Sequence, residues 1–344
     1  MHRFQSILVG LQLDAEGSRI TTGSRKAALQ AECLAEKTGA TVSFLHSTCD
    51  DRFVDHDASG HTLVRQGPTT EGFEALESFA AEYRASGVLG ELVYTRERPW
   101  LAMVRRVLAG ESDLVVVGRH DRSDAAAAHL GSVARKLMRK CPAPVWVVDP
   151  GHDLVHRLVL GATDLSPVGD EVLRLAAYVA ESQDCALHAL HAYQISMELQ
   201  LEAVRMSARE YSRRIHELEN GVRRSIRGSL APVTHLEPHL HIGCDAPSRA
   251  ILGAVERLDP DLLVMGTLSR GGVAGLLVGN TAERLLGRLE CSLLTVKPDD
   301  FVCPITLGDS AEEGAPELPG SAGGARVEDG LDQILGHVPG YGLF

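Results

Sequence analysis

No stretch of the 344-residue chain approaches the roughly 18–20 consecutive apolar residues that a membrane-spanning helix needs. Its start, MHRFQSILVG, has neither the apolar core nor the small-residue cleavage site of a secretory leader, so a cytoplasmic protein with no membrane span is expected. The seven cysteines are scattered and form no CxxC pair, which excludes a disulfide framework and a zinc knuckle and leaves them as mostly buried thiols. Basic charge is also short. The formal net charge is −12, and from Asp299 onward nine acids face only Arg326, so eight of those negative charges lie at the end of the chain. A nucleic-acid binder shows a basic footprint, and this chain has none overall. A Walker A loop (GxxxxGK[ST]), GxGxxG and the GxSxG nucleophile elbow are all missing.

What is present is a repeat. Two segments about 150 residues apart run through the same events. SILVGLQLD (residues 6–14) and RLVLGATDLS (157–166) are short apolar runs that end in glycine and a turn. A helix and a second strand follow, TVSFLHS (41–47) or CALHALHAY (185–193), with His46 and His191 in matching places. Next comes an amphipathic stretch, clearest over residues 196–226, where apolar residues recur every three to four positions. The third strands, GELVYTRE (90–97) and PHLHIG (238–243), each lead to a helix opening at Pro99 or Pro247, a first-turn position that loses no amide hydrogen bond. DLVVVG (113–118) and DLLVMG (261–266) are continuous apolar runs bounded by glycine, the pattern of parallel strands buried on both faces. Each half closes with a glycine-led helix, from Gly131 or Gly279, and a last strand, APVWVVDP or CSLLTVKP.

The expected fold is therefore α/β, two tandem Rossmann-like domains of five parallel strands at residues 1–150 and 151–300, with ligands at the carboxyl ends of strands where the topology reverses. The last strands, VWVV and LLTV, are placed to pair within the chain and make an intramolecular pseudodimer. Residues 301–344 read as an acidic, Gly/Pro-rich tail, disordered because it buries too little apolar surface to offset its ordering entropy.

Between Gly266 and the helix near Asn280 lies a loop of small residues, placing backbone amides at a helix N-terminus where an anion is stabilised. The same residues also read as a plain turn and capping box, Asn280 capping and Glu283 reaching back. Asp164 has two readings as well, a ligand-facing carboxylate or an Asx turn with Ser166 and Pro167. His235, His239, His241 and Cys244 cluster in sequence, but one thiol and no carboxylate nearer than Asp245 weigh against a metal site. The arginines and glutamates between Glu202 and Arg224 read as a salt-bridged exposed helix face.

The loop spacing G-x2-G-x9-G-[ST], together with the strand order, the GNTAERLL segment and the KPDDF segment, resembles the universal stress protein family, in particular its tandem, E-type members. The resemblance covers both halves. It implies a stress-response protein rather than an enzyme, with no catalytic residues, no metal and at most weak ATP hydrolysis. It also implies ATP, or another phosphate-bearing small molecule, in the second domain only. Ala162, Asp164 and Ala192 would face the adenosine, and Gly266, Ser269, Gly279, Asn280 and Thr281 the phosphates, with Ser269 in place of the second glycine. The first half has Gln12 where Asp164 stands and Asp121 where that glycine should be, which sets a carboxylate against a phosphate unless Arg119 and Arg122 compensate. The alternative is a scaffold without nucleotide that acts through protein partners or a different ligand.

Overall fold

The structure, a computed structural model, describes residues 4–49, 55–56, 62–63, 68–119, 130–267, 285 and 288–307. The first half runs β1 (Ser6–Leu11), α1 (Thr22–Thr38), β2 (Thr41–Ser47), β3 (Asp55–His56), β4 (Thr62–Leu63), α2 (Thr70–Ala85), β5 (Leu89–Thr95), α3 (Pro99–Leu108), β6 (Leu114–Gly118), α4 (Ser132–Lys140) and β7 (Val145–Val148). The second runs β8 (Leu158–Ala162), α5 (Pro167–Gln183), β9 (Ala186–Tyr193), α6 (Met197–Ala203), α7 (Ala208–Leu230), β10 (His239–Cys244), α8 (Pro247–Leu258), β11 (Leu262–Gly266) and β12 (Ser292–Val296). β3 and β4 form a small antiparallel hairpin outside the repeat.

Ten strands share one sheet in the order β10-β9-β8-β11-β12-β7-β6-β1-β2-β5. Each half supplies five strands, parallel among themselves, and the halves meet where β12 pairs antiparallel with β7, Leu294 opposite Trp146. Two tandem domains thus fit intramolecular pairing through their last strands. The apolar runs are buried on both faces: α1, α2, α5 and α7 cover one, α3, α4 and α8 the other, and each buried layer continues from one half into the other. Residues of a strand alternate between the two layers, so Val9 and Val116 face one and Leu8 and Val115 the other.

Local chemistry sets the helix ends. Thr21 and Ser166 cap α1 and α5, and Pro99, Pro167 and Pro247 occupy first turns, where their missing N–H is not needed. α1 stops at Gly39, whose φ of +73° suits a residue without Cβ. The amphipathic stretch over residues 196–226 is two helices rather than one. Ser207 caps α7 with its side chain on the Glu210 amide while the Glu210 carboxylate returns to the Ser207 amide, and this capping box starts a new helix where the periodicity alone runs on. The chain also stays packed beyond residue 300: Cys303 and Ile305 lie against the apolar layer, and the Cys303 thiol donates to the Lys140 carbonyl at 3.1 Å. The segment from 308 to 344 lies outside the described residues.

Candidate functional site

In each half the strand order reverses beside the first strand. From β8 the chain moves outward to β9 and β10, then returns to the other side of β8 as β11. The crevice beyond the carboxyl ends of β8 and β11 is where such sheets bind ligands. Register places Ala162 between Leu190 of β9 and Met265 of β11, so Thr163, Asp164, His191, Ala192 and Gly266 come together at this rim. The structure brings together four of the expected site residues, Ala162, Asp164, Ala192 and Gly266. Ser269, Gly279, Asn280 and Thr281 lie outside the described residues, as do Asp121 and Arg122.

The turn after β8 is built around Asp164. Its Oδ1 accepts from the Ser166 amide at 3.0 Å and from the Ser166 hydroxyl, and that hydroxyl in turn accepts the Gly169 amide as the cap of α5. The Asx turn therefore exists, and it occupies one oxygen of an exposed carboxylate. Gly169 is required here: a Cβ on it would lie 2.6 Å from that oxygen and 2.5 Å from Thr163 Oγ1. Leu165 completes the turn at φ +60°, a left-handed conformation that costs an ordinary residue roughly 1–2 kcal/mol. Strain of this kind concentrates at functional sites, where the surroundings hold it in place. No sequence signal marked Leu165, because its neighbours impose the conformation.

His191 Nδ1 lies 2.9 Å from the Thr163 carbonyl, and His46 Nδ1 lies 3.1 Å from the Leu11 carbonyl. The two matching histidines thus secure the carbonyl end of the first strand in each half. His46 is the more enclosed; burial lowers its pKa, and its Nε2 has no partner.

The first-half rim differs in two ways. Gly10 opposes Val117 as Ala162 opposes Met265, so two residues on, Gln12 occupies the place of Asp164. Its main-chain N–H donates to Ser24 Oγ at 2.9 Å, and its main-chain carbonyl accepts from the Thr21 N–H. The first turn of α1 also sits against the end of β6: a Cβ on Gly23 would fall 2.0 Å from the Arg119 carbonyl, and one on Gly118 2.1 Å from the Gly23 backbone. The N-terminus of α1 and the end of β6 thus pack backbone to backbone. The buried Arg119 guanidinium reaches the seam, 3.2 Å from Asp149 Oδ2 and 2.6 Å from the Leu289 carbonyl.

Behind Gly266, the buried Thr267 accepts from Lys297 Nζ at 2.8 Å, and Lys297 also donates to the Met138 carbonyl of α4. The root of the second-half loop is thereby tied to the first half. Beyond β9 and β10 opens a cleft of 410 Å³ lined by Gln194, Ile195, Gln200, Cys244, Asp245 and Arg249. The sequence cluster of four does not assemble: the His235 amide binds Glu181 on the far side of β10, and Cys244 belongs to this cleft wall. Among the described residues no helix is long and apolar enough to cross a membrane.

The sequence profile of the Universal stress protein family matches residues 7–149 and again 156–297. Similar curated proteins include Universal stress protein E of Escherichia coli (strain K12), 28% identical over 265 residues, covering 73% of this chain and 82% of that protein. The Salmonella typhi protein of the same name is 26% identical over 273 residues, covering 72% and 81%. Among solved structures, a functionally unknown protein from Pseudomonas aeruginosa PAO1 shares the fold at a TM-score of 0.62 and 23% identity, covering 86% of this chain and 94% of that one. A universal stress protein from Archaeoglobus fulgidus DSM 4304 does so at 0.55 and 20%, covering 85% and 98%. Two Rossmann-like halves, each with a topological switch point beside its first strand, define a tandem α/β fold. With both halves matched over most of their length, the chain belongs to the universal stress protein family, and its role in the stress response follows from that membership.

Proposed function

We propose that this is a cytoplasmic stress-response protein that binds one adenine nucleotide, ATP by the family pattern, in its second half and signals through conformation rather than catalysis. The observation that carries the reading is Asp164, held on a strained turn at the β8–β11 switch point, where the first half has Gln12. In this reading the remaining carboxylate oxygen of Asp164 meets the ribose, Ala162 and Ala192 line the base, and the loop from Gly266 through Ser269, Gly279, Asn280 and Thr281 meets the phosphates. No catalytic residue is assigned.

Titration calorimetry with ATP tests it. One site per chain is expected, weakened at least tenfold by Asp164→Ala and by Gly279→Asp, and unchanged by Gln12→Ala. No heat with the wild type, or equal heat with both second-half variants, rejects the reading.

One observation favours the scaffold alternative. Met197, Leu201 and Val204, spaced to share one side of α6 and its continuation, are 69%, 65% and 84% exposed. If partners rather than nucleotide define the function, Leu201→Glu should abolish partner capture while Asp164→Ala leaves it intact.

A further inference from the structure

Two cations cross the seam between the halves, one in each direction. The residue after β6 or β11 gives its amide to the carbonyl that ends β7 or β12, Arg119 to Val148 at 2.8 Å and Thr267 to Val296 at 3.1 Å. Arg119 and Thr267 thus hold equivalent places, each the first residue of the stretch that leads to the last helix of its half. The Arg119 guanidinium crosses to the Leu289 carbonyl. In the other direction Lys297, which donates to Thr267 Oγ1, crosses to the Met138 carbonyl in the last turn of α4. Arg119, Thr267 and Lys297 are all buried, and the Lys297 ammonium also lies 4.8 Å from the centroid of the Phe301 ring.

Both carbonyls suit a cation. The last carbonyls of a helix meet no amide within it and carry the negative end of its dipole. The sequence sharpens this at α4. Four residues after Met138 stands Pro142, which has no N–H to give, so Lys297 supplies from the other half the donor that the chain lacks. On the opposite side Leu289 ends a helical turn in which the Arg288 and Leu289 amides bind the Leu285 carbonyl, and Arg119 takes the carbonyl of Leu289. Chain connectivity joins the two clamps into a ring. Thr267 opens the stretch that leads to the turn at Leu285–Leu289, and Arg119 holds that turn. Arg119 opens the stretch that leads to Gly131 and α4, and Lys297, resting on Thr267, holds α4. Neither loop root can shift without loading a buried, charge-assisted hydrogen bond to the opposite half, and a close-packed interior transmits such a shift rather than absorbing it.

We propose that this ring couples the two rims, so that the state of the second-half loop root sets the order of the last turn of α4 in the first half, through Thr267 and Lys297 as positioning residues. A ligand beside Gly266 is then registered in the half that lacks Asp164; that consequence, unlike the clamp itself, rests on the nucleotide reading. Hydrogen exchange of the full-length protein, read by mass spectrometry, tests both. Thr267→Val keeps the shape of the side chain and removes the oxygen that holds Lys297. Exchange in the peptide spanning residues 137–141, where the Cys141 amide binds the Leu137 carbonyl, should quicken about tenfold. Peptides of α5 and β9 should keep the wild-type rate. Thr267→Ser restores the hydroxyl and should return α4 to the wild-type rate. Saturating ATP should slow the same α4 peptide about fivefold in the wild type and leave it unchanged in Thr267→Val. Absence of ATP binding by calorimetry rejects the nucleotide reading, and Thr267→Val alone then upholds or overturns the coupling. An α4 peptide that Thr267→Val does not quicken, quickening spread evenly along the chain, or bound ATP that leaves α4 exchange unchanged overturns the proposal.

Discussion

Replacing Trp146 by alanine should lower the unfolding free energy by about 3–5 kcal/mol, the range for deleting a large buried aromatic side chain. Trp146 is fully buried at the middle of the sheet, with Val116 of β6 on one side and Leu294 of β12 on the other. Its ring lies 5.8 Å from that of His156, in the layer shared by α1 and α5. A cavity there is lined by both halves, and neither can collapse into it without shifting the other. Its indole N–H has no partner. Trp146→Phe therefore gives up some packing but also removes an unsatisfied donor, and should cost about 1 kcal/mol or less. Urea unfolding followed by circular dichroism, which does not depend on the lost fluorophore, checks both. A loss below about 1 kcal/mol in Trp146→Ala would show that the seam carries little of the stability.

Lys297 gives a pH dependence of known sign. Burial pushes its pKa from 10.5 down to about 8, against the opposing influence of the Cys141 and Cys303 thiols. Between those two values the folded chain has shed the proton while the unfolded chain still holds it, so this group's contribution to stability rises with pH. Over that interval the gain is about 3 kcal/mol. Other groups move the opposite way: burial holds the Cys141 and Cys291 thiols protonated up to about 12, so they favour the fold less as the medium becomes more alkaline. The lysine is isolated by comparison with Lys297→Met. The stability of the wild type minus that of the variant should grow by about 3 kcal/mol from pH 8 to pH 10.5. A difference that stays flat across the interval would mean that Lys297 titrates normally.

Much of the architecture is legible in residue order because its signals are local. DLVVVG and DLLVMG become Leu114–Gly118 and Leu262–Gly266, and Pro99 and Pro247 open α3 and α8. The break at Ser207 was also readable, since serine followed three residues later by glutamate marks a helix start; the uninterrupted apolar period masked it. Other features arise only from pairing. The contact between Gly23 and Gly118 joins residues 95 apart in sequence, and His188 meets His241 only through the register of β9 and β10. At the candidate site, Asp164 and its Ser166 turn follow from sequence. The turning of Arg119 toward the seam does not, because Leu289 lies 170 residues away, and the left-handed Leu165 does not either, because leucine has no preference for positive φ.

The antiparallel junction of β7 and β12 points the carboxyl ends of the two halves toward opposite rims of the sheet. In a pair of separate identical subunits, every substitution would fall on both rims at once. Fusion removes that constraint, because each codon specifies only one of two equivalent places. The positions after the paired strands show the result: Arg119 and Asp149 in one half answer to Thr267 and Lys297 in the other, so the cation at the seam comes from a different strand end on each side. Asp164 on one rim and Gln12 on the other are a second such difference, and a substitution at either place leaves the opposite rim unchanged.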